Sequence, residues 1–388
     1  MLYMRGLMTD GARKSMQPMA ARLGVDHQQL QQFMTSSTWD YEAVRRRLTQ
    51  RMFQEINPEA YAIDDVGFPK DGVDSPGVAR QYSGALGKVG NCQIGVSVQM
   101  VTDHASCAAN WRLFLPATWD DHSVKDPDAK ARIQAQRARC QIPDHVRHRT
   151  KTQLALDQLD QVTGPDGWGL PTLPVTADCA YGDATEFRLA LDHRGLTYVL
   201  AVSETLSAHP GDAEPVDIGY TGLGRRPKPQ YPDKPVSIKA LALAAGRATF
   251  TELTWRNGSR KTKENPDAAM TGTFLALPVR PANHNIPKNA DGSLPLELLL
   301  VQWDPDEEEP TDYWISNLPP GTDLPALVQT AKIRWRIEHD YRELKHGLGL
   351  DHFEGRSYTG WHRHVTLTTT AQAFCTLLRL DPKAPAPA

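Results

Sequence analysis

Three sets of carboxylates stand out by residue type and position: Asp64 and Asp65 after the apolar YAI run, Asp178 after PVTA, and Glu338 within AKIRWRIEHDYRELKHGLG (Ala331–Gly349). Two acids at strand ends and a third on a facing helix can meet at one point. Such an all-oxygen donor set suits Mg²⁺, with Mn²⁺ as its substitute. Two such ions about 3.5–4 Å apart activate a water or a 3′-hydroxyl and stabilise the leaving oxygen of a phosphodiester. The chemistry expected is cleavage and transfer of a nucleic-acid strand. Taken singly, each acid reads as a turn residue; their combination in this order carries the reading.

The glutamate segment has two rows. Arg334, Glu338, Arg342 and Lys345 recur at intervals of three or four, and Ile337, Tyr341, Leu344 and Leu348 do so one position out of phase. One flank can bury while the other holds Glu338 ionised among cations, which suits a metal ligand working beside a polyanion. The competing reading is an ordinary surface helix with ion pairs four residues apart. The spacing predicts one helix from near Asp323 to about Gly347.

The elements that must position these acids follow in chain order. Residues 1–58 form a helical region, with short helices broken at Gly24, a cap at Asp26, and a third helix from Asp40 carrying Arg45, Arg46 and Arg47. It is compatible with a helix-turn-helix, and equally with a small subdomain that only packs. Residues 59–203 read as the first part of an α/β core, with a short strand ending at Ile63, strands at Cys92–Val101 and Trp111–Pro116, and two helices. Then come a strand ending in Asp178, a helix, and the strand Leu196–Ser203. Residues 204–320, rich in Pro and Gly and without helical period, read as a β-rich insertion. Residues 321–381 complete the core with the glutamate helix and a last apolar helix. Residues 382–388, rich in Pro and Ala, read as a disordered tail.

Composition narrows the class. With 388 residues, 40% hydrophobic and 23% charged, the chain has the make-up of a folded domain protein, with no apolar run near the ~20 residues a bilayer needs. Nothing at the N-terminus has the apolar core of a secretion signal, so the expected location is the cytoplasm. Five scattered cysteines without a C-x-x-C pair support neither a disulfide framework nor a zinc site. A net charge of −3 gives no global pull on nucleic acid, so DNA binding must come from local basic faces. Lys70, Arg80 and Lys88 form one such group and Arg256, Arg260, Lys261 and Lys263 another, each open to the reading of a solvated face.

The sequence resembles the DDE transposases of bacterial insertion sequences, in the branch that carries a β insertion and a Y-x2-R-x3-E-x6-K motif. Arg334, Glu338 and Lys345 match that spacing, whereas Ala331 replaces the motif's tyrosine. IDDVGFPKDG (Ile63–Gly72), ARQYSGALGKVGNCQ (Ala79–Gln93), TADCAYGD (Thr176–Asp183) and ISNLP look like the same subgroup. The resemblance implies an RNase H-like mixed sheet and a cut-and-paste enzyme. Such an enzyme binds inverted terminal repeats of double-stranded DNA, nicks the ends and joins the 3′-hydroxyls to target DNA as a homodimer. It also implies that the first aspartate, Asp178 and Glu338 hold Mg²⁺ while Arg334 and Lys345 position phosphates. Asp64 and Asp65 both stand open as the first acid; Asp64 is preferred because a strand ending at Ile63 delivers the next side chain to the rim. The family often has a hydroxyl residue two positions later, where Val66 stands. Trp314 resembles a tryptophan that stacks on a flipped base, and its other reading is core. Alternative functions are an inactive or N-terminally truncated DNA-binding remnant, an RNase H-like nuclease without strand transfer and, more distantly, a carboxylate-pair glycosidase.

Overall fold

The computed structural model describes residues 2–84, 87–219, 222, 228–258, 261–263 and 265–381. Arg260 and the expected tail of 382–388 lie outside them. The chain divides into two compact units, Met1–Thr172 with Trp335–Ala388, and Leu173–Arg334.

The first unit starts with helices α1 (Leu2–Met8), α2 (Met16–Leu23), α3 (His27–Thr35) and α4 (Tyr41–Ile56). Their limits follow local chemistry: Gly24 ends α2 at φ 65°, the Asp26 carboxylate accepts from Gln28 N, and the Asp40 carboxylate accepts from Glu42 N. Tyr3, Leu7, Met19, Leu30 and Met34 enter the same core as Trp111, Leu344 and Trp361. The helices therefore share the unit's core instead of building their own. Arg45 is buried, its guanidinium donating to Asn110 Oδ1 at 3.0 Å, Trp111 O at 2.8 Å and Thr366 Oγ1 at 2.8 Å, while Arg46 and Arg47 are exposed.

Four strands follow: β1 (Ala60–Pro69), β2 (Ala79–Ser83), β3 (Lys88–Val101) and β4 (Ser106–Phe114). β1 lies along one edge of β3, and β2 and β4 pair with its other edge, all antiparallel. β1 does not stop at Ile63. Its ladder to β3 continues from Ala60↔Val101 to Pro69↔Cys92, so Asp64 and Asp65 sit inside the strand. A long apolar partner keeps the ladder going past two acids, until Pro69, which has no N–H to give. Helices α5 (Pro127–Arg139) and α6 (Lys151–Thr163) come next, α6 opening on a capping box of Thr150 and Gln153.

The second unit contains β5 (Val175–Ala177), α7 (Cys179–Gly182), α8 (Thr185–His193), β6 (Tyr198–Ala201), β7 (Ser207–Pro210), β8 (Val236–Ser237) and α9 (Ile238–Ala245). β9 (Thr251–Asn257), β10 (Ala269–Pro281), β11 (Glu297–Gln302), β12 (Asp312–Ser316) and α10 (Leu324–Lys332) follow. β5 is parallel to β6, and from β6 the order runs β12, β11, β10, β7, β8, with β9 also on β10. The stretch expected to be free of helix holds α9, which is capped by Ser237 and buries Ile238 and Ala242 one turn apart. That short apolar run, with one buried residue per turn, left no visible period.

The chain then returns to the first unit with α11 (Trp335–Arg342), a π-helical turn (Glu343–Gly347) and α12 (Tyr358–Leu380). The single helix expected from Asp323 to Gly347 is thus interrupted at Ile333–Arg334 and wound differently at its end. Among the described residues no helix is long and apolar enough to cross a membrane. The chain has a mixed α/β fold with N-terminal helices.

Candidate active site

Asp64 and Asp65 are neighbours on a strand, so their side chains leave opposite faces of the sheet. Asp64 stands directly opposite Ser97 of β3, and directly opposed residues share a face. The Ser97 hydroxyl is hydrogen-bonded to the Tyr341 hydroxyl at 2.8 Å. Tyr341 lies one turn after Glu338 on α11, which packs on β1 and β4. Burial, then the charge of Asp64, raises the Tyr341 phenol well above its usual value, so the hydroxyl stays protonated. Asp64 and the glutamate helix therefore occupy one face. On the other face Asp65 accepts from Lys151 Nζ of α6 at 2.7 Å, and α6 packs on β3 and β4.

The expected rows of α11 are realised in part. Ile337, Leu344 and Leu348 are buried, and Glu338 and Arg342 are exposed. Lys345, two turns beyond Glu338, is half-buried and donates to the carbonyl of Gly67 on β1 at 3.1 Å. Burial pulls its ammonium down and Asp351 partly restores it. Lys345 and Tyr341 thus tie the glutamate helix to β1 and β3. Sequence reasoning placed Tyr341 in the apolar row and missed Ser97, because only the register shows a hydroxyl beneath that ring.

In the second unit Asp178 follows the last residue of β5 as expected, half-buried, and its Oδ1 caps α7 by accepting from Ala180 N at 3.0 Å. Next to it, burial and the Asp178 charge push the Cys179 thiol up, while the Arg334 charge acts in the opposite sense. Trp314 is 7% exposed on β12, packed with Val199, Phe274, Leu300 and Leu327. Its ring serves the core, with Lys332 Nζ 5.0 Å from the ring centroid. Of its two readings, base stacking and core, the structure places the ring in the second. Ala331, at the motif's tyrosine position, is buried in the same cluster.

Lys70 in the first unit donates to Phe353 O at 2.6 Å and borders a cavity of about 490 Å³ with Arg13, Asp74, Asp351, Glu354 and Arg356. Burial pulls its ammonium down, against the charges of Asp351, Glu354 and Asp71. Cations and acids alternate there, so this is no phosphate funnel of single sign.

Residues 1–262 match the family described as DDE superfamily endonuclease, a span that includes Asp64 and Asp178 and stops before Glu338. The chain belongs to the DDE superfamily of endonucleases. It is also 29% identical over 201 residues to a protein of Microchaete diplosiphon named "Probable transposase for insertion sequence element IS701". That match covers 51% of this chain and 46% of the relative, so the chain spans about half the length of the curated relative it matches. The mixed α/β architecture is consistent with the RNase H-like core of DDE enzymes.

DDE enzymes use divalent metal ions, and the donors here fit a hard cation. Asp64, Asp178 and Glu338 offer only carboxylate oxygens and are half-buried or exposed, hence accessible to a hydrated ion. A further group, His339, Asp340 and Glu343, brings potential ligand atoms within 4.8 Å of one another beside Glu338 in the chain. Its acids already have cations: Glu343 pairs with Arg379, and Asp340 lies 3.9 Å from Arg336 Nε. A metal there would have to displace an arginine, so the cluster fits a hard cation poorly.

Proposed function

We propose that the chain is a metal-dependent DNA transposase. It binds the inverted terminal repeats of its element in the cytoplasm, nicks their ends and transfers the freed 3′-hydroxyls into target DNA as a dimer. Asp64, Asp178 and Glu338 are the catalytic acids and hold Mg²⁺ or Mn²⁺; Arg334, Arg342 and Lys345 position phosphates. The observation that carries this reading is the Tyr341–Ser97 bond, which sets the glutamate helix on the Asp64 face of β1. Asp178 joins the set on its strand-end position and on the order of acids that the family resemblance implies.

Bound divalent ions supply the activation of the attacking oxygen and the stabilisation of the leaving one. The residues of the chain hold the glutamate helix in place. Tyr341 and Lys345 anchor α11 to the strands, and Lys345, having spent one of three N–H donors on Gly67, keeps others for a phosphate oxygen. Arg342 adds an exposed guanidinium four residues after Glu338.

The test is cleavage of a DNA fragment carrying the element's terminal repeat, with and without Mg²⁺. Nicking at the repeat boundary that needs the metal and is lost in Glu338→Gln and Asp178→Asn, with DNA binding retained, supports the reading. A parent chain that binds the repeat and never cuts sinks it in favour of a DNA-binding remnant. Cutting without joining of 3′-ends leaves a nuclease.

A further inference from the structure

α12 buries a histidine, His364, with both ring nitrogens engaged. Nε2 lies 3.0 Å from Gly349 O and 3.1 Å from Leu350 O, and Nδ1 lies 2.8 Å from the Tyr3 hydroxyl of α1. These partners fix the tautomer. A carbonyl oxygen only accepts, so Nε2 carries the proton and donates to both, and bare Nδ1 accepts from the Tyr3 O–H. Burial acts in the same sense: it pulls the imidazole down to about 4, keeping it neutral, and raises the Tyr3 phenol, keeping it protonated. Phe353 stacks on the ring, with 5.3 Å between centroids.

The two carbonyls that His364 holds belong to the turn that closes the glutamate helix. Leu348 N donates to Glu343 O, Gly349 N to Lys345 O and Leu350 N to Leu344 O. Residues 348–350 thus grip the π-helical turn through their N–H groups, while two of their carbonyls are gripped by His364. Lys345, in the middle of the π-helical turn, holds Gly67 O of β1. The closing turn has little room to move. Gly349 takes φ 67°, and a Cβ on it would fall 2.4 Å from Lys14 Cβ. Lys14 N in turn donates to His352 Nδ1 at 3.0 Å. The turn is therefore clamped between α12 and the segment that joins α1 to α2.

We infer that His364 is a positioning residue for DNA cleavage: it seats the C-terminal end of the glutamate helix, as the Tyr341–Ser97 bond seats its middle, and Tyr3 holds it in the tautomer that does so. Without the Nε2–H the carbonyls of Gly349 and Leu350 lose their donor, the π-helical turn loses its clamp, and Lys345 and Glu338 are free to shift against β1. A helix at the far N-terminus so acts on the reaction without touching DNA. This inference rests on the DNA reading above, since the reaction it serves is the one assigned to Glu338.

The experiment separates the two ends of the ring. The side-chain amide of Gln reaches to where Nε2 stands and that of Asn only to where Nδ1 stands. His364→Gln therefore keeps a donor for Gly349 and Leu350, and His364→Asn keeps only a partner for Tyr3. Both remove the ring from one buried place and should lower the melting temperature alike. At a temperature where both are folded, the rate of Mg²⁺-dependent nicking at saturating terminal-repeat DNA should fall about tenfold or more in His364→Asn, with repeat affinity unchanged, and stay within a few-fold of the parent in His364→Gln. Hydrogen exchange at the amides of Leu348, Gly349 and Leu350 should speed up in His364→Asn and stay slow in His364→Gln. Tyr3→Phe removes only the hydroxyl and should lower the nicking rate several-fold. If the parent nicks and His364→Asn nicks as fast, or both histidine variants lose activity equally, the assignment is overturned and the DNA reading stands. Should neither histidine variant fold, a Tyr3→Phe chain that nicks at the parent's rate overturns it. If the parent nicks no DNA, both fall.

Discussion

Replacing Tyr341 by Phe removes one hydroxyl and leaves the ring against Trp111, 6.2 Å between centroids, so it tests the bond that sets the glutamate helix. Ser97 is fully buried, and its Oγ would keep only a 3.4 Å contact from Gln99 Nε2. Stranding a buried hydroxyl costs about 1–3 kcal/mol, which at about 2–4 °C per kcal/mol is a modest fall in melting temperature. The effect on chemistry should be larger in proportion. A carboxylate released by about 1 Å from its working position costs roughly 100-fold in rate, so metal-dependent nicking by Tyr341→Phe should drop about 10- to 100-fold. The double change Tyr341→Phe with Ser97→Ala removes both partners and should recover most of the stability without recovering nicking. The assay is an initial rate of nicking beside a thermal melt for each variant. A single variant that loses stability yet nicks at the parent's rate would refute the view that this bond positions Glu338.

Three further outcomes follow from buried groups. Asp340, pushed up to about 6 by burial, and Glu297, pushed up to about 7, contribute stability that is full below about pH 4 and lost as pH rises through those values; for Asp340 this is about 3 kcal/mol. His364, pulled down to about 4 by burial, acts oppositely between pH 4 and 6.5, so Asp340→Asn with Glu297→Gln should make urea stability rise over that window, and a parent-like profile would contradict the assignment. Gly67→Ala should cost about 1–3 kcal/mol by driving a Cβ into the Ser83 hydroxyl, and Ser83→Gly in the same chain should relieve it; denaturant midpoints measure both. Arg45→Met should cost about 3 kcal/mol by stranding the acceptors on Asn110, Trp111 and Thr366, against about 0.5 kcal/mol or less for exposed Arg46→Ala.

Features governed by neighbours in sequence were legible. Asp26 read as a helix cap and Asp40 as a helix start, and both are caps, because the carboxylate acts on an N–H group two residues away. Asp178 read as a strand-end acid and stands there. Features governed by distant partners were not. β1 passes through Asp64 and Asp65 because β3 continues beside it, so the preference for Asp64 rests on which face it takes, toward Ser97 and Tyr341, and not on a strand end. Lys151, far along the chain, is what occupies Asp65. The continuous period across Ala331–Gly349 gave no warning of the break at Ile333–Arg334, since both segments bury their own apolar row. Trp314 shows the same limit: a tryptophan in a strand reads alike as core or as surface until the elements packed on it are known.

The most direct test of the account is a comparison of Asp64→Asn with Asp65→Asn in metal-dependent nicking of terminal-repeat DNA. Both changes are isosteric, and losing the half-exposed Asp65–Lys151 pair should cost about 1 kcal/mol at most. The account predicts that Asp64→Asn abolishes nicking while repeat binding persists, and that Asp65→Asn nicks within a few-fold of the parent. Loss in Asp65→Asn with activity kept in Asp64→Asn would contradict it, and would move the site to the face that α6 covers.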